Sequence, residues 1–218
     1  FLSRGLQDSW LSGTAVMDDK GKLQNLLPAA LPTTASAWSP KGNELARIVT
    51  DQMGGTRLEI INLSNWDSRI IFDRPGITAL SWTKTDELLV AEGPRLISIN
   101  LSEETIFTEF EWETASNFLL YGSDDFYPSI VHISCLEEKR VIEVKWHREG
   151  KTAISSIYQW LESDLSHMSK LDSHRYPILL SNQQMLLSTE DGIVVANYKG
   201  ERLWFRQIPG LISADPFL

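Results

Sequence analysis

Apolar residues in this chain come in short runs rather than at helical spacing. From Ala35 the sequence reads ASAW, then ELARIV beyond a Ser-Pro-Lys-Gly break, then LEIIN from Leu58 and RIIFD from Arg69. Short runs of this kind, rich in Val, Ile and aromatic residues and bounded by Gly, Pro, Asn and Asp, predict strands joined by tight turns.

The layout then repeats. The segment ASAWSPKGNELARIV from Ala35 is followed by LEIINLS from Leu58, and ITALSWTKTDELLVAEG from Ile77 is followed by LISINLS from Leu96. Trp38 recurs as Trp82, Glu44-Leu45 as Glu87-Leu88, and Ile61-Asn62-Leu63-Ser64 as Ile99-Asn100-Leu101-Ser102. Each copy adds a fourth run, RIIFD from Arg69 and TIFTEFEW from Thr105. Four short strands in roughly 40 residues is the period of a propeller blade.

A second pair of matches lies near the ends. AVMDDKGKL from Ala15 has the layout of VVANYKGERL from Val194, and Gly21 and Gly200 supply the turn between third and fourth strands. YPILLS from Tyr176 and QMLLSTEDG from Gln184 give the later copy its first two strands. FLSRG at Phe1 reads as a second strand without a first, and GLISADPFL from Gly210 has the character of the missing opening strand. The C-terminus is therefore expected to complete the N-terminal blade and close the ring, which removes an exposed edge. The middle, from about Ala115 to Ser173, has room for one drifted blade: FYPSIVHIS from Phe126, KRVIEVKWH from Lys139, TAISSIYQW from Thr152 and a last strand near Leu165. LESDLSHMSKL from Leu161 reads equally well as a short helix, since Leu161, Leu165 and Met168 fall near helical spacing. The expectation is an all-β chain, a single β-propeller domain over residues 1–218 with about five four-stranded blades. Four blades, six with two short ones, or a piece of a larger open propeller stay open.

Trp38-Ser39-Pro40-Lys41-Gly42 ahead of the run at Leu45 resembles the W-S-P-D-G repeat of TolB-type and WD40-like propellers. Lys41 stands where that repeat has Asp, and Trp82-Thr83-Lys84-Thr85-Asp86 is a degenerate second copy. The resemblance implies that Trp packs between blades while Pro and Gly shape the turn. It also implies a module that binds proteins, or an extracytoplasmic sensor. The Trp-Asp pair of true WD40 repeats closes the third strand, where this chain has Asn62-Leu63; its own Trp66-Asp67 falls in the following hairpin.

Composition narrows the function. A formal net charge of -9, with no cluster of Lys and Arg, removes the electrostatic term behind nucleic-acid binding. No apolar run reaches the length of a membrane helix, so no membrane insertion of this segment is expected. Cys135 is the one cysteine and has no internal disulfide partner. A chain that opens on Phe1 is expected to be excised from a longer protein.

The common hydrolase, nucleotide-binding and zinc signatures do not occur, so no catalytic residue, metal or cofactor is expected. His132 and Cys135 are three apart, which a strand places on opposite faces, and both read as ordinary strand residues. His147, His167 and His174 lie among polar neighbours and read as surface histidines. The carboxylate pairs Asp18-Asp19, Glu103-Glu104 and Glu137-Glu138 fall at hairpins, where solvated turn residues are the rule. Asp124, Asp125, Phe126 and Tyr127 stand apart, mixing acid and aromatic groups just before an opening strand, at one end of the expected channel. They are the candidate binding residues. Asn62-Leu63-Ser64 and Asn100-Leu101-Ser102 match the glycosylation sequon, but their equivalent places at strand ends point to turn chemistry.

The favoured expectation is a non-enzymatic binding or sensing module for a protein or peptide, a periplasmic or other extracytoplasmic part of a larger bacterial protein. Two alternatives stay open. One is a carbohydrate-binding propeller or glycosidase, with Trp10, Trp112 or Tyr127 stacking on sugars beside carboxylates; the other is an intracellular scaffold.

Overall fold

A computed structural model describes residues 4–6, 9–29, 35–83, 87–111, 126–148, 151–161, 164–168, 171, 174–181 and 183–208. Among the described residues every regular element is a strand apart from a short turn of 3-10 helix at Leu171. Two compact units divide the chain, Phe1–Leu80 and Ser81–Leu218.

The first unit begins with an antiparallel sheet of β1 (Arg4–Leu6), β2 (Ser9–Met17) and β3 (Leu23–Ala29), in that order. A four-stranded meander follows: β4 (Ala35–Trp38), β5 (Glu44–Thr50), β6 (Thr56–Asn62) and β7 (Ser68–Asp73). β5 and β6 are buried along nearly their whole length, whereas β7 is mostly exposed. The continuous apolar runs ELARIV and LEIIN thus mark strands covered on both faces. Val16 and Leu27 pack with Leu45 and Ile61, and Leu63 and Trp66 cover that cluster.

The boundary between the units falls inside β8 (Ile77–Trp82). This strand opens the meander completed by β9 (Glu87–Glu92), β10 (Arg95–Asn100) and β11 (Thr105–Glu111). The second unit holds two more meanders: β12 (Phe126–Leu136), β13 (Lys139–Arg148), β14 (Lys151–Leu161) and β15 (Asp164–His167); then β16 (Arg175–Ser181), β17 (Gln184–Ser188), β18 (Gly192–Asn197) and β19 (Arg202–Gln207). Its core joins Val141 and Ile157 to Leu179, Met185, Leu187 and Val194.

The drifted middle blade has the four strands expected of it. The ambiguous stretch is a strand over Asp164–His167, held by pairing with β14, so cross-strand hydrogen bonds override its helical spacing. The matched hairpins agree at the level of atoms. Asp18 Oδ1 accepts from the amides of Lys20 (3.0 Å) and Lys22 (2.8 Å), and Asn197 Oδ1 accepts from those of Lys199 and Glu201, both 2.9 Å. Gly21 and Gly200 take φ of 77° and 72° in the two turns, a conformation that costs a residue with a Cβ. Arg4–Leu6 forms β1 and pairs with β2, while the rest of FLSRG and the proposed closing strand from Gly210 lie outside the described residues.

Two features depart from, or go beyond, the sequence reading. Trp82 is buried, but Trp38 is 52% exposed and does not fill an interior space. β4 alternates half-buried and exposed positions and Trp38 falls on the exposed set, whereas β8 is buried at both ends and in its middle. The pairing of β3, β7, β11 and β19 with the preceding strand is in each case interrupted by a register shift. Such bulges bend the outer strand and raise its twist.

Candidate functional site

β12 opens at the candidate residues. Asp124 and Asp125 lie outside the described residues; the backbone of Phe126 pairs with that of Arg148, and Tyr127 pairs with His147. Tyr127 is 62% exposed and His147 is exposed as well, so the two directly opposed residues present an aromatic ring and an imidazole to solvent.

Behind them the same face of the sheet turns inward. Period two places Val141, Glu143, Lys145 and His147 on one face of β13, and His132 is the register partner of Glu143. Three side chains from this face hold the backbone of β16. The Ser134 hydroxyl accepts from the amide of Leu179 at 3.0 Å, His132 Nε2 donates to the carbonyl of Pro177 at 3.1 Å, and Glu143 Oε2 accepts from the amide of Tyr176 at 2.7 Å. Ser155 donates its hydroxyl to Glu143 Oε1. The pairing of β16 with β17 slips between Arg175 and Ile178, and Tyr176 takes a φ of 52°, so part of this backbone is out of register. Glu143 and His132 supply the partners that buried backbone groups require.

The electrostatics follow from burial. Glu143 is fully buried, and desolvation raises its carboxyl above the usual range despite the hydroxyl, the amide, Lys145 and Arg175, which favour the charge. Desolvation lowers the His132 imidazole to about 4, against a smaller opposing effect of its bond to Pro177. The ring is therefore neutral at ordinary pH, with Nε2 carrying the proton. Cys135 points elsewhere, in hydrogen-bond contact with Ser81, and burial pushes its thiol up to about 11. His132 and Cys135 do not converge. Among the described residues no group of three or more His, Cys, Asp or Glu is placed to hold a metal ion.

The other histidines differ from one another. His147 is exposed as expected, but His167 is half-buried with its ring 5.0 Å from that of Tyr158, which a surface reading misses. The sequons behave as turn chemistry: Asn62 Oδ1 accepts from the amide and hydroxyl of Ser64 at 2.9 and 2.6 Å, and Asn100 Oδ1 from those of Ser102 at 3.0 and 2.8 Å.

A concavity lies in the first unit, where the β6–β7 hairpin meets β5. It encloses about 300 Å³ between Glu44, Ile60, Asn62, Asn65, Asp67, Ser68 and Arg69. Asn65 Nδ2 donates to Asp67 at 2.7 Å, and Arg69 stands 4.0 Å from Glu44. The wall is thus a set of paired donors and acceptors over one aliphatic residue. Sequence reading singled out neither this cup nor Glu143. A signal existed for Glu143: a carboxylate inside the apolar run VIEVKW cannot face the core unpartnered.

No protein-family model matches the chain, and no curated protein matches it in sequence. Solved structures do match. The β-propeller domain of the Trilobed protease from Pyrococcus furiosus is 15% identical with a TM-score of 0.57, over 94% of this chain and 66% of that one. Oligogalacturonate lyase in complex with manganese is 10% identical with a TM-score of 0.57, over 90% and 59%. The WD40 repeats of RRP9 are 12% identical with a TM-score of 0.53, over 91% and 77%. The chain spans two thirds or less of the first two. At such identities the likeness establishes the fold, a β-propeller, in which the antiparallel sheets described above are the blades.

Proposed function

We propose that this propeller is a non-enzymatic module that recognises a protein or peptide at the end of the β12–β15 blade where Tyr127 is presented. One observation carries the reading: Tyr127 and His147, register partners, are both exposed at the mouth of a blade whose same face becomes more buried inward, with Ser129 and Lys145 half-buried and Glu143 fully buried. An aromatic ring held on a rigid strand offers contact area at little entropic cost, which is the chemistry of an interface anchor. The shifted acid and base groups beneath it are occupied. His132 and Glu143 bond to the backbone of β16, which supports a structural task for them over proton transfer.

Screening a displayed peptide library against the whole chain tests this. Selected peptides are expected to lose at least about tenfold in affinity to Tyr127→Ala, with its unfolding midpoint unchanged. Equal binding by parent and variant, or an empty selection, would overturn the reading.

The polar cup favours a second reading, binding of a small polyhydroxylated ligand such as a sugar, because amides, carboxylates and a guanidinium converge on about 300 Å³. Thermal unfolding in a sugar series separates the two. A sugar at about 100 times its Kd adds roughly 2.7 kcal/mol, and Asn65→Ala should erase that gain while leaving peptide binding intact.

A further inference from the structure

The polar cup of the first unit is built on one face of a blade. Glu44 is the register partner of Asn62, and Ile60 is that of Arg69. Period two puts Asn62 and Ile60 on the same side of β6, so all four residues share that face, while Asn65 and Asp67 line the cup from the hairpin. The polar groups are unevenly committed. Asn62 Oδ1 accepts from the amide and hydroxyl of Ser64 at 2.9 and 2.6 Å, so the group this carboxamide has left to offer a ligand is Nδ2. Asn65 spans Asp67: its Oδ1 accepts from the Asp67 amide at 3.1 Å, and its Nδ2 donates to Asp67 Oδ2 at 2.7 Å, an exchange in which Asp67 Oδ1 takes no part. Arg69 Nη2 stands 4.0 Å from Glu44 Oε1, longer than a hydrogen bond, and both side chains are partly exposed. Two carboxylates against one guanidinium leave the lining with a formal charge of -1.

We infer, resting on the reading of this cup as a sugar site, that it prefers a sugar carrying a protonated amine, an amino sugar, over a neutral or an acidic one. A neutral sugar satisfies the hydrogen bonds of the lining but leaves its surplus negative charge unmatched. An ammonium held by the oxygens of Glu44 and Asp67 supplies three donors to groups that can only accept, and charge strengthens those bonds. Asn62 Nδ2 and the Arg69 guanidinium are the complementary donors, and they serve the ring hydroxyls. Ile60 gives the C–H face of the ring an apolar surface. A carboxylated sugar finds one favourable partner in Arg69 and meets Glu44 and Asp67 as like charges.

Calorimetric titration of the whole chain with glucosamine, glucose, N-acetylglucosamine and glucuronate tests this. Glucosamine is expected to bind about tenfold more tightly than glucose. N-acetylglucosamine, which keeps the nitrogen but loses its charge, should bind no tighter than glucose, and glucuronate should bind weakest. The advantage of glucosamine should shrink in high salt, which screens exposed charges. Glu44→Gln and Asp67→Asn each keep an acceptor and remove a charge, and the second still offers an oxygen to the Asn65 amide. Each should lower the affinity for glucosamine severalfold and leave that for glucose within about twofold, with unfolding midpoints near the parent's. Glucosamine binding no tighter than glucose would overturn the inference and leave the sugar reading standing. A preference untouched by both variants would also overturn it, because the amine would then be held elsewhere. Titrations empty for all four sugars would overturn both.

Discussion

Arg47 and Glu143 are both charged residues set in the apolar run of a second strand, one in each unit, and they are accommodated by different means. Arg47 is matched by charge. It donates from Nε and Nη2 to Glu59 Oε2 at 3.0 and 2.8 Å, and from Nη1 to the carbonyl of Leu27 at 3.0 Å, while Arg57 bonds the other oxygen of Glu59 at 2.8 Å. Glu143 is matched by hydrogen bonds from Ser155 and the Tyr176 amide, with Lys145 and Arg175 acting on it through their fields. The first arrangement is a closed ionic pair that also fixes β3 to the neighbouring sheet. The second is a carboxylate serving a backbone that has slipped out of register, and its protonation is sensitive to burial. A buried charge in a strand therefore marks a place where a blade grips its neighbour, and the partner decides whether the grip is an ion pair or a set of hydrogen bonds.

The largest effect is expected where the ionic pair is broken on one side. Arg47→Met leaves Glu59 buried with only the half-exposed Arg57 to compensate, and removing one partner of such a pair typically costs several kcal/mol. We expect a loss of about 3 kcal/mol in urea unfolding, recovered in large part when Glu59→Leu is added, because two well-packed apolar residues leave no uncompensated charge. Equal stability of the single variant and the parent would mean that the pair is not the element joining β3 to β5.

The period of the fold was legible in the sequence because it rests on local chemistry. The Asp18 and Asn197 turns are built from side chains two to four residues away from the amides they bind, so the matched hairpins were readable without any tertiary knowledge. What holds one blade to the next was not, since Arg47 reaches Leu27 and Glu143 reaches Tyr176 across long stretches of chain. Trp38 shows the limit in the other direction: its motif promises an interior ring, but burial depends on the neighbouring surface and the residue is half-exposed. Of the candidate binding residues, Tyr127 is exposed, and Asp124 and Asp125 lie outside the described residues. That His147 is the facing partner of Tyr127 follows from register, which composition does not encode.

A smaller effect follows from the second arrangement. Glu143→Leu strips the Tyr176 amide and the Ser155 hydroxyl of their acceptor and is expected to cost about 2 kcal/mol. Glu143→Gln keeps an acceptor for the amide and should cost less. It should also change the pH profile. The folded carboxyl is raised above its unfolded value, so the folded state holds a proton that the unfolded state has released. That stability is complete below the ordinary carboxyl range and is lost as pH rises through the folded value. Gln does not titrate, so urea midpoints across a pH series should lose this downward slope; an unchanged slope would show that Glu143 is not its source.

His132 provides the smallest and most discriminating test, because it is the register partner of Glu143 and tilts the profile the other way. Its imidazole is lowered from 6.5 to about 4, so between those values the unfolded state binds the proton and the folded state does not. Stability is then complete above the unfolded value and falls as pH drops toward the folded one. The size of that fall is set by how fully the ring is desolvated. His132→Gln can still donate to the Pro177 carbonyl but cannot titrate. Its urea midpoint should therefore lose the fall toward low pH that His132 gives the parent and keep only the Glu143 slope, while Glu143→Gln keeps only the His132 slope. Two single variants with profiles tilted in opposite senses, and a double variant flatter than either, would place both groups in one network on β16; parallel profiles would separate them.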